Sequence, residues 1–469
     1  EKLFRFYYNK DMLRSNEIDM VHGPLMKNVF LFSVPLMATA LLQMLFNAAD
    51  IIVVGKFSGE IALAAVGATS SLVFFITSLF NGISVGCNVV ISRCIGARDS
   101  EKVQHAVHTS MWLSLVLGIV LTVVGCTISR PFLELLGTPE EIIGQSDLYM
   151  KIYFAGSLFL LVYDFGTAVL RSKGDTTRPL VYLTLSGVLN VVLNLIFVIV
   201  FHIGVAGVAL ATILAQGVAS VLVWLALRRE EGDMKVELSR LHLDTELAKD
   251  ILHIGIPAGL QSIIFSLSNL VVQSSINSFG NTSIIAGNSA AINLENFVYI
   301  GMSAFMQACI SFTSQNVGAK QIGKIKEIMW MTLLLCVGSG FLVAGILYCN
   351  GHFFLSFYTN SVDVENWGMY RLLYVTLLLP IQGVSDVMIG SMRGMGYSIL
   401  PTVCMLAGIC GIRLVWLWFI FPLFPTLSVV YLCFPISWTC TGLLQIVLWI
   451  VSYRKFLKNN MREKEVQYK

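Results

Sequence analysis

An acid inside an apolar helical run costs about 2.5–3.5 kcal/mol on insertion scales, so its presence asks for a chemical reason. Asp50 is such an acid. Gln43, Asn47 and Asp50 fall at i, i+4 and i+7 and so share one helical face. Asn190 and Asn194, one turn apart, and Thr212 lie in two later apolar segments at a depth matching that of Asp50. One carboxylate among amide and hydroxyl oxygens suits Na+, and a lone carboxylate removed from water suits H+. The plainer alternative for Asp50 is a helix-end residue facing interfacial water.

The second half of the chain carries its own polar residues at membrane depth. Glu295 sits mid-segment near Asn288 and Asn296. It reads either as a substrate- or proton-binding acid or as a hydrogen-bonded packing carboxylate. Ser262, Ser266, Asn269 and Gln273 form a polar stripe that follows Gln261, expected to face a central cavity. Asp164 precedes Arg171 by seven residues, and Asp386 precedes Arg393 by the same interval. Two helical turns apart on one face, each pair is expected to form a structural ion pair or gate. Arg413 is expected to be buried, neutralising an acid or bonding carbonyls. The 29 Phe, 15 Tyr, 8 Trp and 18 Met are ample to line a promiscuous pocket, though most should face lipid or core.

These residues need membrane helices to hold them. Of 469 residues, 56% are hydrophobic and 13% charged. Soluble domains carry about 25% charged residues, so this chain cannot cover a soluble surface. Coiled coil, collagen-like repeat and disorder are excluded by the same composition. The net charge of +3 and the lack of a basic stripe exclude nucleic acid as a partner. The ten Cys contain no Cys-x-x-Cys pair, which argues against a metal site or disulfide framework. A spanning helix needs about 20 apolar residues, and twelve runs qualify. The longest hydrophilic stretch between runs is Arg228–Lys249. The expected organisation is therefore an N-terminal segment 1–23, a six-helix lobe 24–228, a linker 229–249, a second six-helix lobe 250–453 and a tail 454–469. Twelve spans put both ends on one side, and that side holds 26 of the 31 Lys and Arg. The positive-inside rule then makes both termini cytoplasmic. The first apolar run reads as a retained span rather than a cleaved leader.

The chain also repeats itself. Pro35 and Pro257, Ser92 and Ser314, Gly96-Ala97 and Gly318-Ala319, Asp164 and Asp386, Arg171 and Arg393, and Pro179 and Pro401 are all 222 residues apart. Six helices per repeat is even, so both halves enter the membrane the same way. Their pseudo-two-fold axis should run along the membrane normal. Matched halves of this kind suit an alternating-access transporter. The Asp50 cluster is not duplicated: its offsets fall on Val272, Trp416 and Phe434. A scaffold requirement would recur in both halves, whereas a site need occur only once.

The motifs resemble one family. The first half carries Asn47-Ala48-Ala49-Asp50 and Val54-Gly55, then Ile91-Ser92-Arg93-Cys94-Ile95-Gly96-Ala97 and Leu170-Arg171-Ser172-Lys173-Gly174-Asp175-Thr176. The second half answers with Thr313-Ser314-Gln315-Asn316-Val317-Gly318-Ala319 and Met392-Arg393-Gly394-Met395-Gly396. In combination, from about Gly23 to Phe456, they resemble the multidrug and toxic compound extrusion (MATE) transporters. The resemblance is closer to the DinF or MepA-like branches than to the NorM-type. The NorM-type has a Glu in span 7, where this chain runs Gln261 to Ser266 without an acid.

The resemblance implies an all-α membrane protein of two six-helix bundles. It implies a secondary antiporter, not an enzyme, exporting amphipathic organic compounds, often cationic, in exchange for H+ or Na+. It carries the family's first-half cation site onto Asp50, Asn190, Asn194 and Thr212, where Na+ would bind if Na+ is the coupling ion. Related transporters often have Asp where this chain has Asn194. No cofactor beyond the coupling ion and no obligate protein partner are expected; the bilayer and small organic substrates are. The expected location is the bacterial inner membrane. A lipid-linked precursor flippase of the same superfamily would need a cationic cavity, and the spans carry few Arg and Lys. An intramembrane enzyme would need a motif such as His-Glu-x-x-His, and an ATP-driven pump a Gly-x-x-x-x-Gly-Lys-[Ser/Thr]; neither occurs.

Overall fold

At membrane depth no water is available to backbone N–H and C=O groups, so apolar runs of this length close their hydrogen bonds internally as helices. The structure, a computed structural model, describes residues 17–467, with side chains through residue 461. Residues 1–16 of the expected N-terminal segment and 468–469 of the expected tail lie outside the described residues. Among the described residues there is no strand. The helices are α1 (Leu25–Phe57), α2 (Glu60–Ala97), α3 (Ser100–Leu135), α4 (Glu140–Ala155 and Ser157–Ser172), α5 (Thr177–Val200), α6 (Gly204–Arg229), α7 (Thr245–Asn277), α8 (Thr282–Gly318), α9 (Ile322–Cys349), α10 (Val362–Gly394), α11 (Ile399–Ile420) and α12 (Leu427–Gln467). Among the described residues, eleven are single helices long and apolar enough to cross a membrane, and the two parts of α4, bent by 48°, meet the same test taken together as one broken span. The protein is thus an all-helical multi-pass membrane protein, as its composition predicts.

Packing divides the chain into two compact units. Unit 1 takes in residues 34–259 and the described residues 17–19; unit 2 takes in 20–33 and the described residues 260–467. The divisions fall inside α1 and α7, beside Pro35 and close to Pro257, rather than in the stretch 229–249. That stretch packs on α3 within unit 1. His108 Nε2 accepts the Glu237 N–H at 3.2 Å, and Thr109 Oγ1 accepts the Asp244 N–H at 3.0 Å.

Within unit 1, α2 and the first half of α7 meet backbone to backbone. A Cβ on Gly82 would lie 2.2 Å from Gly259 N, and one on Gly86 would lie 2.2 Å from Ile251 O. Backbone cannot swing aside as a long side chain can. Gly82→Val should therefore destabilise this packing by about 1–3 kcal/mol, the usual cost of overpacking. A lower melting temperature in detergent is the expected readout; an unchanged one would show that the two helices part easily.

The Leu170–Thr176 motif turns out to be a capping and ion-pair device. Gly174 takes φ +100, and a Cβ there would lie 2.4 Å from Ile18 O. Asp175 Oδ1 accepts the N–H groups of Thr177 and Arg178 at 3.1 and 3.0 Å, capping α5. Arg178 bonds Asp175 and Glu230, and Lys173 reaches Glu17 at 2.6 Å and Glu230 at 2.8 Å. Burial works against the Glu230 carboxylate, yet Arg178 and Lys173 outweigh it and hold its carboxyl below the usual range. In unit 2, Asn316 Nδ2 donates to Met20 O at 2.8 Å and Lys324 Nζ to Val21 O at 2.6 Å, fixing the approach to α1.

Candidate functional site

Three helices of unit 1 bring Asp50, Asn190, Asn194 and Thr212 into one hydrogen-bonded group. Asn194 Nδ2 donates to Asp50 Oδ1 and, at 3.3 Å, to Asn190 Oδ1. Asn190 Nδ2 donates to Thr212 Oγ1 at 3.3 Å. The Thr212 hydroxyl lies 2.9 Å from Val208 O and 3.5 Å from Asp50 Oδ2, and its single proton serves one acceptor at a time. Asn190 and Asn194 are buried, and Asn194 Oδ1 is buried with no donor. An acceptor oxygen without a donor beside a carboxylate is costly unless something positive or protic joins it. The group therefore has the donor set for a small cation or a proton. A cavity of about 20 Å³ borders Thr212 and is lined also by Gln216, one turn along α6. That is room for about one water molecule. Gln216 is a polar residue the sequence reading passed over; its i+4 spacing from Thr212 was the available signal.

Gln43 and Asn47 do not join this group. Both are exposed, and neither hydrogen bonds to it. Sharing a face with Asp50 is insufficient, because the residues of α1 seated on α5 are Phe46 and Asp50. The Phe46 ring lies 1.8 Å from where a Gly187 Cβ would stand, so α1 and α5 close on each other only because residue 187 is Gly.

Unit 2 holds a second polar group, built from α7, α8, α10, α11 and α12. Glu295 Oε2 pairs with Arg371 Nη2 at 2.8 Å. Arg371 Nη1 donates to Asn288 Oδ1 at 2.8 Å, and the Tyr431 hydroxyl donates to the same oxygen at 3.1 Å. Asn288 Nδ2 donates onward to Gln273 Oε1 at 2.9 Å. Arg413, 1% exposed, donates through Nη1 to Asn269 Oδ1 at 2.9 Å and through Nε to Ser437 Oγ at 3.2 Å. Its guanidinium also stands 4.4 Å from the Phe434 ring centre. Glu295, Asn269, Gln273 and Asn288, singled out from sequence, thus meet, as does Arg413. Arg371 was missed: it falls close to the start of its apolar run and passes for an interfacial residue.

The remaining expected residues go elsewhere. Gln261 ties α7 to α10 and α11, accepting from Arg393 Nη2 at 2.6 Å and donating to Met405 Sδ at 2.8 Å. Ser266 is half-buried on the same helix. Asp164 with Arg171, and Asp386 with Arg393, do not close to ion-pair distance. Arg393 turns to Gln261 and, at 3.3 Å, to Thr402 Oγ1. Seven residues along a helix span two turns, and a neighbouring acceptor from another helix is nearer than the acid on its own.

Irregular backbone flanks these groups. π-helical turns cover Ile196–Val200, Leu372–Thr376, Leu406–Gly411 and Trp416–Ile420. Asn194 lies two residues before the first, Arg371 directly before the second, and Arg413 between the last two. Such turns re-aim side chains relative to a regular helix and recur at functional positions.

Known proteins bear out the repeat and the resemblance. The MatE family matches the chain twice, over residues 35–196 and 257–419. The chain is 30% identical to the probable multidrug resistance protein YpnP of Bacillus subtilis (strain 168) over 378 residues, 81% of this chain and 84% of that protein. It is 28% identical to the probable multidrug resistance protein YoeA of the same organism over 399 residues, 82% and 85% of the two chains. The outward-facing structure of a multidrug resistance MATE family transporter of the MOP superfamily superposes with a TM-score of 0.87 at 22% identity, covering 94% of this chain and 99% of that one. A MOP superfamily transporter from Pyrococcus furiosus superposes with a TM-score of 0.86 at 22% identity, over 94% and 98%. These superpositions show the fold. With two family matches that together take in more than half of its residues, the chain belongs to the MatE family.

Proposed function

We propose that this protein is a cation-coupled efflux antiporter of amphipathic organic compounds, working by alternating access. The supporting observation is the Asp50 group: one carboxylate, two amides and a hydroxyl from α1, α5 and α6, with a donorless oxygen on Asn194. Relatives named as multidrug resistance and multidrug export proteins support the export reading. Inward movement of H+ or Na+ through Asp50 couples to export because the ion and the substrate prefer different conformations. Only differential affinity for the two states can shift their populations. On this reading the site binds and releases its ion, and the protein acts as a carrier. The 26 Lys and Arg on the side of both termini support an inner-membrane location with both termini cytoplasmic.

Purified protein in liposomes tests the reading. Export of a fluorescent amphiphile should follow an imposed H+ gradient or an imposed Na+ gradient, and the responding gradient names the coupling ion. No export under either would overturn the antiporter reading.

A further inference from the structure

The polar group of unit 2 carries more positive than negative charge. Arg371 and Arg413 are 4% and 1% exposed, and among the described residues Glu295 is the one carboxylate bonded to this group. Arg371 donates two of its three hydrogen bonds to Glu295 and the third to Asn288, so that pair is closed. Arg413 has no carboxylate within ion-pair distance among the described residues. Its Nε and Nη1 are used by Ser437 and Asn269, while Nη2 is buried with no acceptor in the protein. Three rings surround the guanidinium, Phe434, Phe265 and Trp438, at 4.4, 5.4 and 5.9 Å. Aromatic faces recover part of the cost of a buried cation but supply no acceptor for an N–H. Asn269, which holds its Nη1, is itself exposed on α7.

We infer that Arg413 is the recognition site for an anionic group, a carboxylate, sulfonate or phosphate, on an amphipathic ligand whose apolar body lies against the surrounding rings. The inference rests on the export reading above and names the substrate class of that transporter. Glu295, the acid that would otherwise attract a cation, is already neutralised by Arg371. Guanidinium suits the role, since its charge is permanent and its N–H groups match paired oxygens.

The experiment uses the full chain in phosphatidylcholine nanodiscs, with energy transfer from its tryptophans to dansylaminoundecanoate, to the uncharged amide of that probe and to its trimethylammonium counterpart. The carboxylate should bind about tenfold or more tightly than the amide, as a charge-assisted hydrogen bond predicts, and the ammonium weakest. Arg413→Gln should erase the preference. Equal binding of carboxylate and amide, tighter binding of the ammonium, or a preference that survives Arg413→Gln would overturn the site. Should Arg413→Gln fail to fold, the ranking of the three probes on the native chain decides alone. Displacement of the carboxylate by added phosphatidylglycerol would support the site with a lipid headgroup as its occupant; no displacement would support it with a free amphiphile. Equal binding alongside intact gradient-driven export sinks the anion site alone, whereas absent export sinks the antiporter reading and leaves the ranking standing.

Discussion

Asp50→Asn should reduce gradient-driven export to the level of protein-free liposomes while leaving the protein folded in the membrane. The substitution is nearly isosteric. An amide at residue 50 can keep its oxygen on Asn194 Nδ2 and turn its N–H toward the Thr212 oxygen, whose own proton goes to Val208 O, so the contacts among α1, α5 and α6 survive. What is lost is the single ionisable group of the cluster. Asn190, Asn194 and Thr212 cannot bind a proton near neutral pH, and without a carboxylate their oxygens hold Na+ weakly. Ion-driven coupling is commonly worth about 1–3 kcal/mol, and removing it uncouples the two states. Export in liposomes, with melting temperature as the folding control, checks this. Retained gradient-driven export by a normally folded variant would remove Asp50 from the coupling role.

The second large effect lies in unit 2. Arg371→Met leaves Glu295 and Asn288 Oδ1 without their main donor in a buried group. Breaking a buried pair by removing one partner typically costs about 3–5 kcal/mol, because the remaining charge is uncompensated. Glu295→Gln combined with Arg371→Met should recover most of that loss, since neither charge remains. Thermal unfolding of both variants in one detergent gives the comparison. A single variant as stable as the parent, or a double variant no better than the single, would show that Glu295 is not held by Arg371. Glu295 keeps 16% of its side chain exposed, so the smaller end of the range is expected.

Asp50, Asn190, Asn194 and Thr212 were legible in advance because each is polar within an apolar run, and their depths can be counted from the span ends. Gln43 and Asn47 were grouped with them on helical spacing alone. Spacing assigns a face but not the helix that covers it, and α5 covers Phe46 and Asp50 instead. The Asp–Arg intervals in α4 and α10 misled for a related reason. A recurring spacing marks a recurring structural demand, but Arg393 satisfies it with Gln261 of α7. Arg371 shows the opposite failure: a charged residue near a span end looks interfacial until its acceptors on α8 are known.

The amino-acid sequence by itself determined the membrane class, twelve spans, the internal repeat and the family. Those follow from local quantities: apolar run length, which hydrocarbon thickness converts into a span count, and residue identity at a fixed offset. Only the tertiary structure decided which polar residues meet. It seated Asp50 against α5 and α6, closed Glu295 with Arg371, and left Nη2 of Arg413 without an acceptor. The reason is geometric. Hydrogen bonds between helices depend on rotation and depth to within a fraction of a turn, and π-helical turns beside Asn194, Arg371 and Arg413 alter both in a way that no periodicity announces.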